Sequence, residues 1–294
     1  MRKQIRIATR GSDLAIKQAQ LVGLAIENLK IDLECIICPV ITSGDKLLEL
    51  DLSKVGGKGL FLKEIEQNLL QGECDIAVHS MKDVPVELPD NLVIPSMLKR
   101  ADPRDVLLSN DGYTIKSLPA GARVGTCSSR RGHILNYMRP DVDVVPIRGN
   151  ICTRVKKLVN GEYDAIILAL CGMQRIDMTS IPHEVIPVEI MVPAIGQAAI
   201  GIECRQDDKE MNQLLTQINH QDTYHAIEME RQFMRQMHAD CTTPIGGYYE
   251  RCGEQYRMLT YYSSARSTGI KVFTGGEKEV LMQALEYYKQ SKTA

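Results

Sequence analysis

The stretch QIRIATRGSDLAIKQAQLVGLAIENL, residues 4–29, decides the fold class because a strand, a turn and a helix follow one another within it. Apolar residues alternate with polar ones over 4–9, which predicts a strand. Ser12 then provides a helix N-cap, and apolar residues recur at helical spacing through 12–29. A strand that passes directly into an amphipathic helix is typical of the start of an α/β unit.

The same alternation continues along the chain. It predicts strands at 33–41 and 75–80 with a helix at 59–72 between them, so the first unit reads βαβαβ and should contain a parallel sheet. The segment KRADPRDVLL, 99–108, predicts a hinge into a second α/β unit. The strands of that second unit are predicted at 123–126, 142–147 and 163–169.

The rest of the chain completes the first unit and adds a third. The apolar run 192–205 is predicted to rejoin the first sheet. From 221 a helix leads into three strands and a last helix, which is α+β in character. We therefore predict α/β and α+β domains with these boundaries: 1–98 and 194–218 for domain 1, 99–193 for domain 2, and 219–294 for domain 3.

Composition excludes some classes of function. The 294 residues carry a formal net charge of −2, contain no Trp and are 5% aromatic, which argues against a nucleic-acid-binding surface. No run approaches the roughly 18 apolar residues that a membrane helix needs. We expect a cytoplasmic protein without nucleic-acid or membrane partners, and a monomer, since no coiled coil is evident.

Nine cysteines are scattered along the chain, and most are expected to be buried free thiols. The pair in CIIC, 35–38, lies in a predicted strand, where residues i and i+3 face opposite sides and do not readily share a metal. Cys241 in HADCTTPIGG, 238–247, is more ambiguous. A buried small side chain, a disulfide partner, a metal ligand and a nucleophile carrying a covalent group all remain open for it.

Polar and cationic residues stand where the predicted strands end, which is where ligands bind in such sheets. Arginine pairs with carboxylates or phosphates in two-pronged fashion, and helix N-termini add further donors. The pattern predicts a polyanion in a cleft between the two α/β units, although any single arginine could be a surface residue. The residues concerned are Arg10, Ser12, Ser80, Lys82, Thr126, Ser128, Arg130, Arg131, Arg148, Arg154 and Arg175.

Two other features bear on that cleft. KVGGKGLF, 54–61, lacks the Ser or Thr that a phosphate-binding loop needs after its Gly-Lys. It is either a mobile loop that brings Lys54 and Lys58 over the cleft or a solvated surface loop. Asp83 could cap a turn or pair with Lys82, but an ionised carboxylate there could also stabilise a cation on a substrate or shuttle its proton.

Eight motifs resemble the porphobilinogen deaminase family, in the order and spacing of that family over nearly all of 5–250. The resemblance implies two periplasmic-binding-protein-like α/β domains around a cleft, with a small α+β domain after them. It also implies that four porphobilinogen molecules are joined head to tail, with loss of ammonia, on a covalent dipyrromethane cofactor, and that the linear tetrapyrrole is released by hydrolysis. The motifs are ATRGSDLA, KVGGKGLFLKEIE, DIAVHSMKDVP, DPRDVLLS, VGTCSSRR, IRGNICTR, GEYDAIILA and GQAAIGIECR.

Residue roles follow from this resemblance. Asp83 matches the catalytic aspartate, and Cys241 matches the cysteine that holds the dipyrromethane through a thioether. No metal is implied. The remaining cofactor-binding residues would be Lys82, Ser80, Thr126, Ser128, Arg130, Arg131 and Arg148, and the substrate-binding residues Arg10, Ser12, Arg148, Arg154, Arg175 and Gln197.

The chain departs from the family pattern at four places. Cys127 replaces the first of two serines and Ser129 a usual leucine, and a thiol is a weak donor. Ala198 stands where glycine is usual, and Asp240 replaces the glycine before the attachment cysteine. From the residues alone, a non-catalytic two-lobed anion-binding module and a redox or metal protein built on the cysteines remain alternatives.

Overall fold

The computed structural model describes residues 4–43, 62–239, 243–263 and 268–293. The chain divides into two compact units. Unit 1 comprises Met1–Ala101 and Ala198–His225, and unit 2 comprises Asp102–Gln197 and Ala226–Ala294. Each unit is described by itself below.

The described elements follow one another in this order: β1 Gln4–Arg10, α1 Asp13–Glu27, β2 Glu34–Val40, α2 Lys63–Leu70, β3 Ile76–Ser80, β4 Leu92–Met97, β5 Asp105–Leu108, β6 Arg123–Gly125, α3 Ser129–Met138, β7 Asp143–Val145, α4 Ile151–Val159, β8 Ala165–Ala169, α5 Leu170–Arg175, β9 His183–Ile186, β10 Ile200–Arg205, α6 Lys209–Thr216, α7 Gln221–Gln236, β11 Ile245–Cys252, β12 Gln255–Ser263, β13 Thr268–Gly275 and α8 Glu279–Thr293.

Unit 1 is built on a five-stranded sheet with the order β2-β1-β3-β10-β4. β1 pairs in parallel with β2 and β3, whereas β10 runs antiparallel to both β3 and β4. One face of the sheet packs on residues of α1 and α6, such as Val22 and Leu215. The other face packs on α2 through Ile65 and Leu69.

Unit 2 contains a second five-stranded sheet with the order β7-β6-β8-β5-β9. β6 is parallel to β7 and β8, and β5 is antiparallel to β8 and β9. The two faces of this sheet are again apolar. Ile134 and Leu135 of α3 pack on one face, and Val155 and Leu158 of α4 on the other.

A third sheet, the antiparallel meander β11-β12-β13, lies within unit 2. Helices α7 and α8 cover it through a core that includes Phe233 and Tyr288. Its other face contributes Leu259 and Tyr261 to the core of the second sheet. At β11, the Gly247 amide donates to the Pro193 carbonyl at 3.0 Å, and a Cβ on Gly246 would approach the carbonyls of residues 192 and 193.

The predicted fold class, two α/β domains and a small α+β domain, is confirmed, and the run 192–205 does rejoin the first sheet through β10. The parallel pairing predicted for the βαβαβ segment is confirmed, since β1 is parallel to β2 and β3, while β5 and β10, whose direction was not predicted, are antiparallel to their neighbours. The segment expected to be a hinge contains β5. Sequence patterns also missed β4, β9, α5 and α6, which are short elements of four to eight residues.

The three-domain division stays a prediction, and β11–β13 support it as a sheet of their own. Within the described ranges, no helix combines the length and the apolar character needed to cross a membrane.

Candidate active site

The residues predicted to form the site lie in both units, and we describe the two groups separately. In unit 1 the first group is at the junction of β1 and α1. The Ser12 hydroxyl caps α1 by accepting from the Ala15 amide at 3.4 Å. Arg10, the last residue of β1, is half-buried. Strand end and helix start therefore put a cation beside a helix N-terminus, an arrangement that suits an anion.

The second group of unit 1 follows β3. Residues Met81–Asp83 form a single turn of 3-10 helix, in which Met81 is buried while Lys82 and Asp83 are exposed. The Met81 amide donates to the Ala199 carbonyl at 3.1 Å, which fixes the start of the turn on the adjacent strand segment. The turn is therefore anchored on its apolar side and presents a carboxylate and an ammonium group to solvent.

Ser80, the last residue of β3, is held by α1. Gln18 Nε2 donates to its Oγ at 2.8 Å, and Gln18 is buried. This contact joins the strand end to the helix that Ser12 caps. The two groups of unit 1 thus belong to one edge of one sheet.

Sequence analysis missed a buried pair behind this edge. His79 Nε2 lies 2.9 Å from Glu203 Oε2, with the side chains 5% and 0% exposed. Glu203 is on β10, in the apolar stretch IGIECR. An acid inside an otherwise apolar strand needs a partner, and that signal could have found it.

In unit 2 the loop after β6 forms the first group. The Ser128 hydroxyl caps α3 by accepting from the Arg131 amide at 3.4 Å, and Thr126 Oγ1 accepts from the Ser128 amide at 3.1 Å. The exposed Cys127 thiol donates to the Ile147 carbonyl at 3.0 Å. The two hydroxyls therefore shape the start of α3, and Cys127 lies between them.

Arg130 and Arg131, at the start of α3, converge on one acid. Arg130 Nη1 donates to Asp105 Oδ2 at 2.8 Å and to the Val192 carbonyl at 2.6 Å. Arg131 donates to Asp105 Oδ1 at 2.7 Å through Nη2 and to the Ile167 carbonyl at 3.1 Å through Nη1. Arg130 is 3% exposed, so its contacts support a structural role for it rather than a place on a ligand.

Asp105 is the centre of this network. Burial alone would raise its pKa, but the charges of Arg130 and Arg131 hold the pKa well below the usual range. Gln197 is also fully buried, and its Nε2 donates to Asp105 Oδ1 at 2.9 Å and to the Pro103 carbonyl at 2.6 Å. The predicted substrate residue Gln197 is thus part of the interior network in this structure.

The motif IRGN after β7 forms the second group of unit 2. Gly149 has φ +109°, and a Cβ there would clash with Thr153, so the position requires glycine. Asn150 caps α4 by accepting from the Thr153 amide at 2.8 Å. This turn sets the half-buried Arg148 before the helix and Arg154 one turn into it.

Arg154 is the cation best placed for an external anion. Its Nε donates to the Gly149 carbonyl at 2.8 Å, and within the described ranges no carboxylate pairs with it. Burial lowers the pKa of the Arg154 guanidinium, and the charges of Arg131 and Arg148 lower it further. Arg148 and Arg154 beside the N-terminus of α4 therefore form a candidate site for carboxylates.

Arg175 is the last residue of α5, which follows β8 directly. It is half-buried, and burial lowers the pKa of its guanidinium. It therefore lies after the third strand of the same sheet whose first two strands lead to the groups of Thr126 and Arg148. All three strands are parallel, so their carboxyl ends share one edge.

Four residues discussed above, Lys54, Lys58, Asp240 and Cys241, lie outside the described residues. The flanks of Cys241 are described. α7 precedes it and β11 follows it, and both pack in one core through Phe233 and Ile245. Glu230 of α7, another residue that sequence analysis missed, accepts from the amides of Gly196 at 2.8 Å and Tyr249 at 3.0 Å.

Ala198, one of the departures from the family pattern, lies at a backbone conformation that favours glycine. Its φ is +72°, in the left-handed region, and the side chain is buried. Alanine there carries strain that glycine would not. The departure therefore keeps the backbone conformation at a cost in stability.

The described residues contain no group of three or more histidine, cysteine, aspartate or glutamate side chains suited to a metal. What they do provide is a cluster of arginines for carboxylates in unit 2 and an exposed carboxylate beside an ammonium group in unit 1. Both lie at the strand ends of their own sheet.

The sequence matches the family model described as "Porphobilinogen deaminase, dipyromethane cofactor binding domain" over residues 5–213. It is also similar to curated proteins named porphobilinogen deaminase. That of Brevibacillus brevis is 47% identical over 243 residues, covering 83% of this chain and 79% of the relative. That of Geobacter sulfurreducens is 43% identical over 265 residues, covering 90% and 83%.

Among solved structures, the chain is similar to an ancestral cationic amino acid solute binding protein, with a TM-score of 0.46 at 11% identity, covering 80% of this chain and 91% of that one. It is also similar to a probable amino-acid transporter extracellular-binding protein, ytmK from Bacillus subtilis, with a TM-score of 0.42 at 13% identity, covering 74% and 90%.

Proposed function

Because the chain belongs to the porphobilinogen deaminase family, we propose that Asp83 is its catalytic carboxylate and that Cys241 carries its cofactor. The protein is a hydroxymethylbilane synthase, a transferase of tetrapyrrole biosynthesis whose substrate is porphobilinogen. It joins four substrate molecules head to tail with loss of ammonia and then releases the linear product by hydrolysis.

The cofactor of the family is dipyrromethane, and the residues of unit 2 fit it. Each pyrrole of such a chain carries an acetate and a propionate, so the bound molecule is a polyanion. Arg154 has a guanidinium with no carboxylate partner in the described part of the chain, and Arg148 lies close enough to lower its pKa. When bound through Cys241, dipyrromethane supplies the free pyrrole α-carbon on which the product grows.

The arginines differ in what they can do. Arg154 has both Nη atoms available for a carboxylate, while Arg131 divides its donors between Asp105 and the Ile167 carbonyl. We propose that Arg148, Arg154 and Arg175 bind the carboxylates of substrate and product. Thr126, Ser128 and Arg131 would hold the cofactor, with Arg130 fixing α3 from behind.

In unit 1, Asp83 has the chemistry for the bond-forming step. Loss of ammonia from porphobilinogen leaves positive charge on the pyrrole nitrogen, and a nearby carboxylate stabilises that cation. The same carboxylate can accept the proton that the attacked ring must lose. Lys82, Ser80, Arg10 and Ser12 would orient the carboxylates of the reacting rings from the same sheet edge.

Intact-mass spectrometry tests the attachment. The purified protein is expected to carry the extra mass of two pyrrole units, and Cys241→Ser should lack it. Cys252, an exposed cysteine in β11, provides the matched control, since Cys252→Ser should keep the extra mass. An active protein of unmodified mass would refute the assignment of Cys241.

Turnover tests Asp83. Asp83→Asn should keep the cofactor mass but lose about 100-fold or more in kcat, the scale expected for removal of a general acid-base group. Near-normal turnover of this variant would remove Asp83 from its proposed role. An anion receptor would need the arginines alone, so loss of turnover with retained cofactor also separates enzyme from receptor.

We further propose that the protein acts as a monomer in the cytoplasm. The eight described cysteines are free thiols, as is usual for proteins of a reducing compartment. Light scattering of the purified holoenzyme would give its mass in solution, and a dimer mass would overturn the first part of this proposal.

A further inference from the structure

We propose that the buried pair of His79 and Glu203 positions the turn that carries Asp83, so that both are positioning residues for the reaction. The proposal rests on the role assigned above to Asp83. Sequence analysis assigned neither residue a role in the reaction.

The covalent path from the pair to the turn is short. His79 is on β3, and Ser80 alone separates it from the 3-10 turn Met81–Asp83. The imidazole is 5% exposed and its Nε2 lies 2.9 Å from a carboxylate that is 0% exposed. A ring held this firmly limits how the end of β3 can rotate, and therefore how the turn beyond it is aimed.

β10 shapes the same turn at two further points. Gly201 lies opposite His79 in the strand register, and a Cβ there would clash with the Met81 thioether. The Met81 amide donates to the Ala199 carbonyl at 3.1 Å. β10 and Ala199, the residue before it, thus accommodate the buried residue of the turn, accept a hydrogen bond from its first amide and, through Glu203, hold the residue before Ser80.

The chemistry of the pair argues for more than stability. A buried ion pair is weak evidence for stabilisation, because apolar residues of similar volume often serve as well. Glu203 Oε1 has no hydrogen-bond partner within the described residues, so the carboxylate is held through its other oxygen by His79. A buried oxygen without a hydrogen-bond partner needs an explanation, and a carboxylate kept for the geometry that it imposes on His79 provides one.

The carboxylate of Glu203 also acts electrostatically on Glu66 of α2. Burial raises the pKa of Glu66, the charge of Glu203 raises it further and His79 lowers it. Three titratable groups, on α2, β3 and β10, therefore face one another behind the turn. Removing the charge of Glu203 while keeping its volume is the informative change.

Glu203→Gln makes that change in the holoenzyme. We expect kcat to fall about 10-fold or more while KM stays within about 2-fold, the pattern of an interaction that matters in the transition state. Intact mass should show that the cofactor is still attached. Glu203→Asp keeps the charge but withdraws it from His79 by one methylene, and should also lower kcat; it serves as the second variant if the first does not fold.

Asp75→Asn is the matched control. Asp75 is buried next to the other end of β3, where its carboxylate accepts from Arg6 Nε at 3.1 Å and from the Arg6 amide at 2.8 Å. Its loss should lower the melting temperature and leave kcat unchanged. A purely structural role for Glu203 predicts the same behaviour in both variants.

The Asp83→Asn background separates this proposal from the function on which it rests. If Glu203 acts by aiming Asp83, then adding Glu203→Gln to Asp83→Asn should lower the residual rate no further. An equal drop in both backgrounds, or a kcat within about 2-fold of normal in Glu203→Gln alone, would overturn the positioning role. Near-normal turnover of Asp83→Asn itself would instead refute the assignment of Asp83.

Discussion

Each of the two five-stranded sheets has an antiparallel strand in its fourth position, β10 in unit 1 and β5 in unit 2. Each of these strands carries one fully buried acid. Glu203 meets a single histidine from the adjacent strand, whereas Asp105 meets two arginines from helix α3. The acid on the fourth strand therefore contacts the end of β3 in unit 1 and the start of α3 in unit 2.

The partners differ in a second respect. An arginine stays charged at any pH that a protein survives, while a histidine can release its proton near neutrality. Unit 2 is organised around two guanidinium groups that share one carboxylate, and unit 1 around a single contact between an imidazole and a carboxylate. This difference should be visible when the acids are replaced.

The largest effect is expected for Asp105→Asn. It leaves Arg130 and Arg131 buried without their counter-charge, which should cost about 3–5 kcal/mol of unfolding free energy. Glu203→Gln should cost less, about 1–3 kcal/mol, because it removes the charged partner of one side chain rather than of two. Denaturant unfolding of the two variants measures both. Equal losses would break the comparison.

The pH dependence of stability provides a second test of the difference between the two buried acids. The pKa of Asp105 is lowered in the folded state, so its stabilisation is fully present above the unfolded value, about 3.9, and is lost as pH falls toward the folded value. The stability difference between wild type and Asp105→Asn should therefore stay constant from pH 8 to about pH 5 and shrink only below about pH 4. Shrinkage already near pH 6 would contradict the ion-pair description.

The smallest effect concerns the two segments that lead into β5 and β10. Residues 99–104, before β5, contain no residue with positive φ, whereas Ala198, before β10, has φ +72°. Ala198→Gly should raise the unfolding free energy by about 0.5–1 kcal/mol by relieving that strain.

Ala199 provides the control for this prediction. It is as buried as its neighbour but has no positive φ. Ala199→Gly should therefore lower the unfolding free energy by about 0.5–1 kcal/mol. Differential scanning calorimetry of both variants measures the two signs, and two losses would show that position 198 is not strained.

Much of the fold could be predicted from the sequence where local pattern and capping agree. Ser12 with the apolar residues of α1 is such a case, and Asn150 with α4 is another. β5 was missed because DVLL is four residues long and fully buried, so it has no alternation to detect. Its antiparallel direction depends on the path of the whole chain rather than on local residues.

The candidate site shows the same division. The residues after β3, β6 and β7 were identifiable because strand ends and helix starts are local features. The burial of Arg130 was not, since it depends on Asp105 and Val192, which lie 25 and 62 residues away. The sequence signal for both buried acids is a charged residue within an apolar strand. This signal identifies the acid that must be paired, but it does not identify the residue that pairs with it.

The order of strands along the chain has a consequence for synthesis on the ribosome. Unit 2's first sheet is contiguous, from Asp105 to Ile186, but unit 1 receives β10 long after β4 has ended at Met97. At about 5–20 residues per second, β3 and β4 wait roughly 5–20 s for the strand that pairs with both. During that interval the edges of β3 and β4 that will pair with β10 are unpaired on the nascent chain. Chaperones that shield such edges should bind this protein most strongly before residue 200 is made.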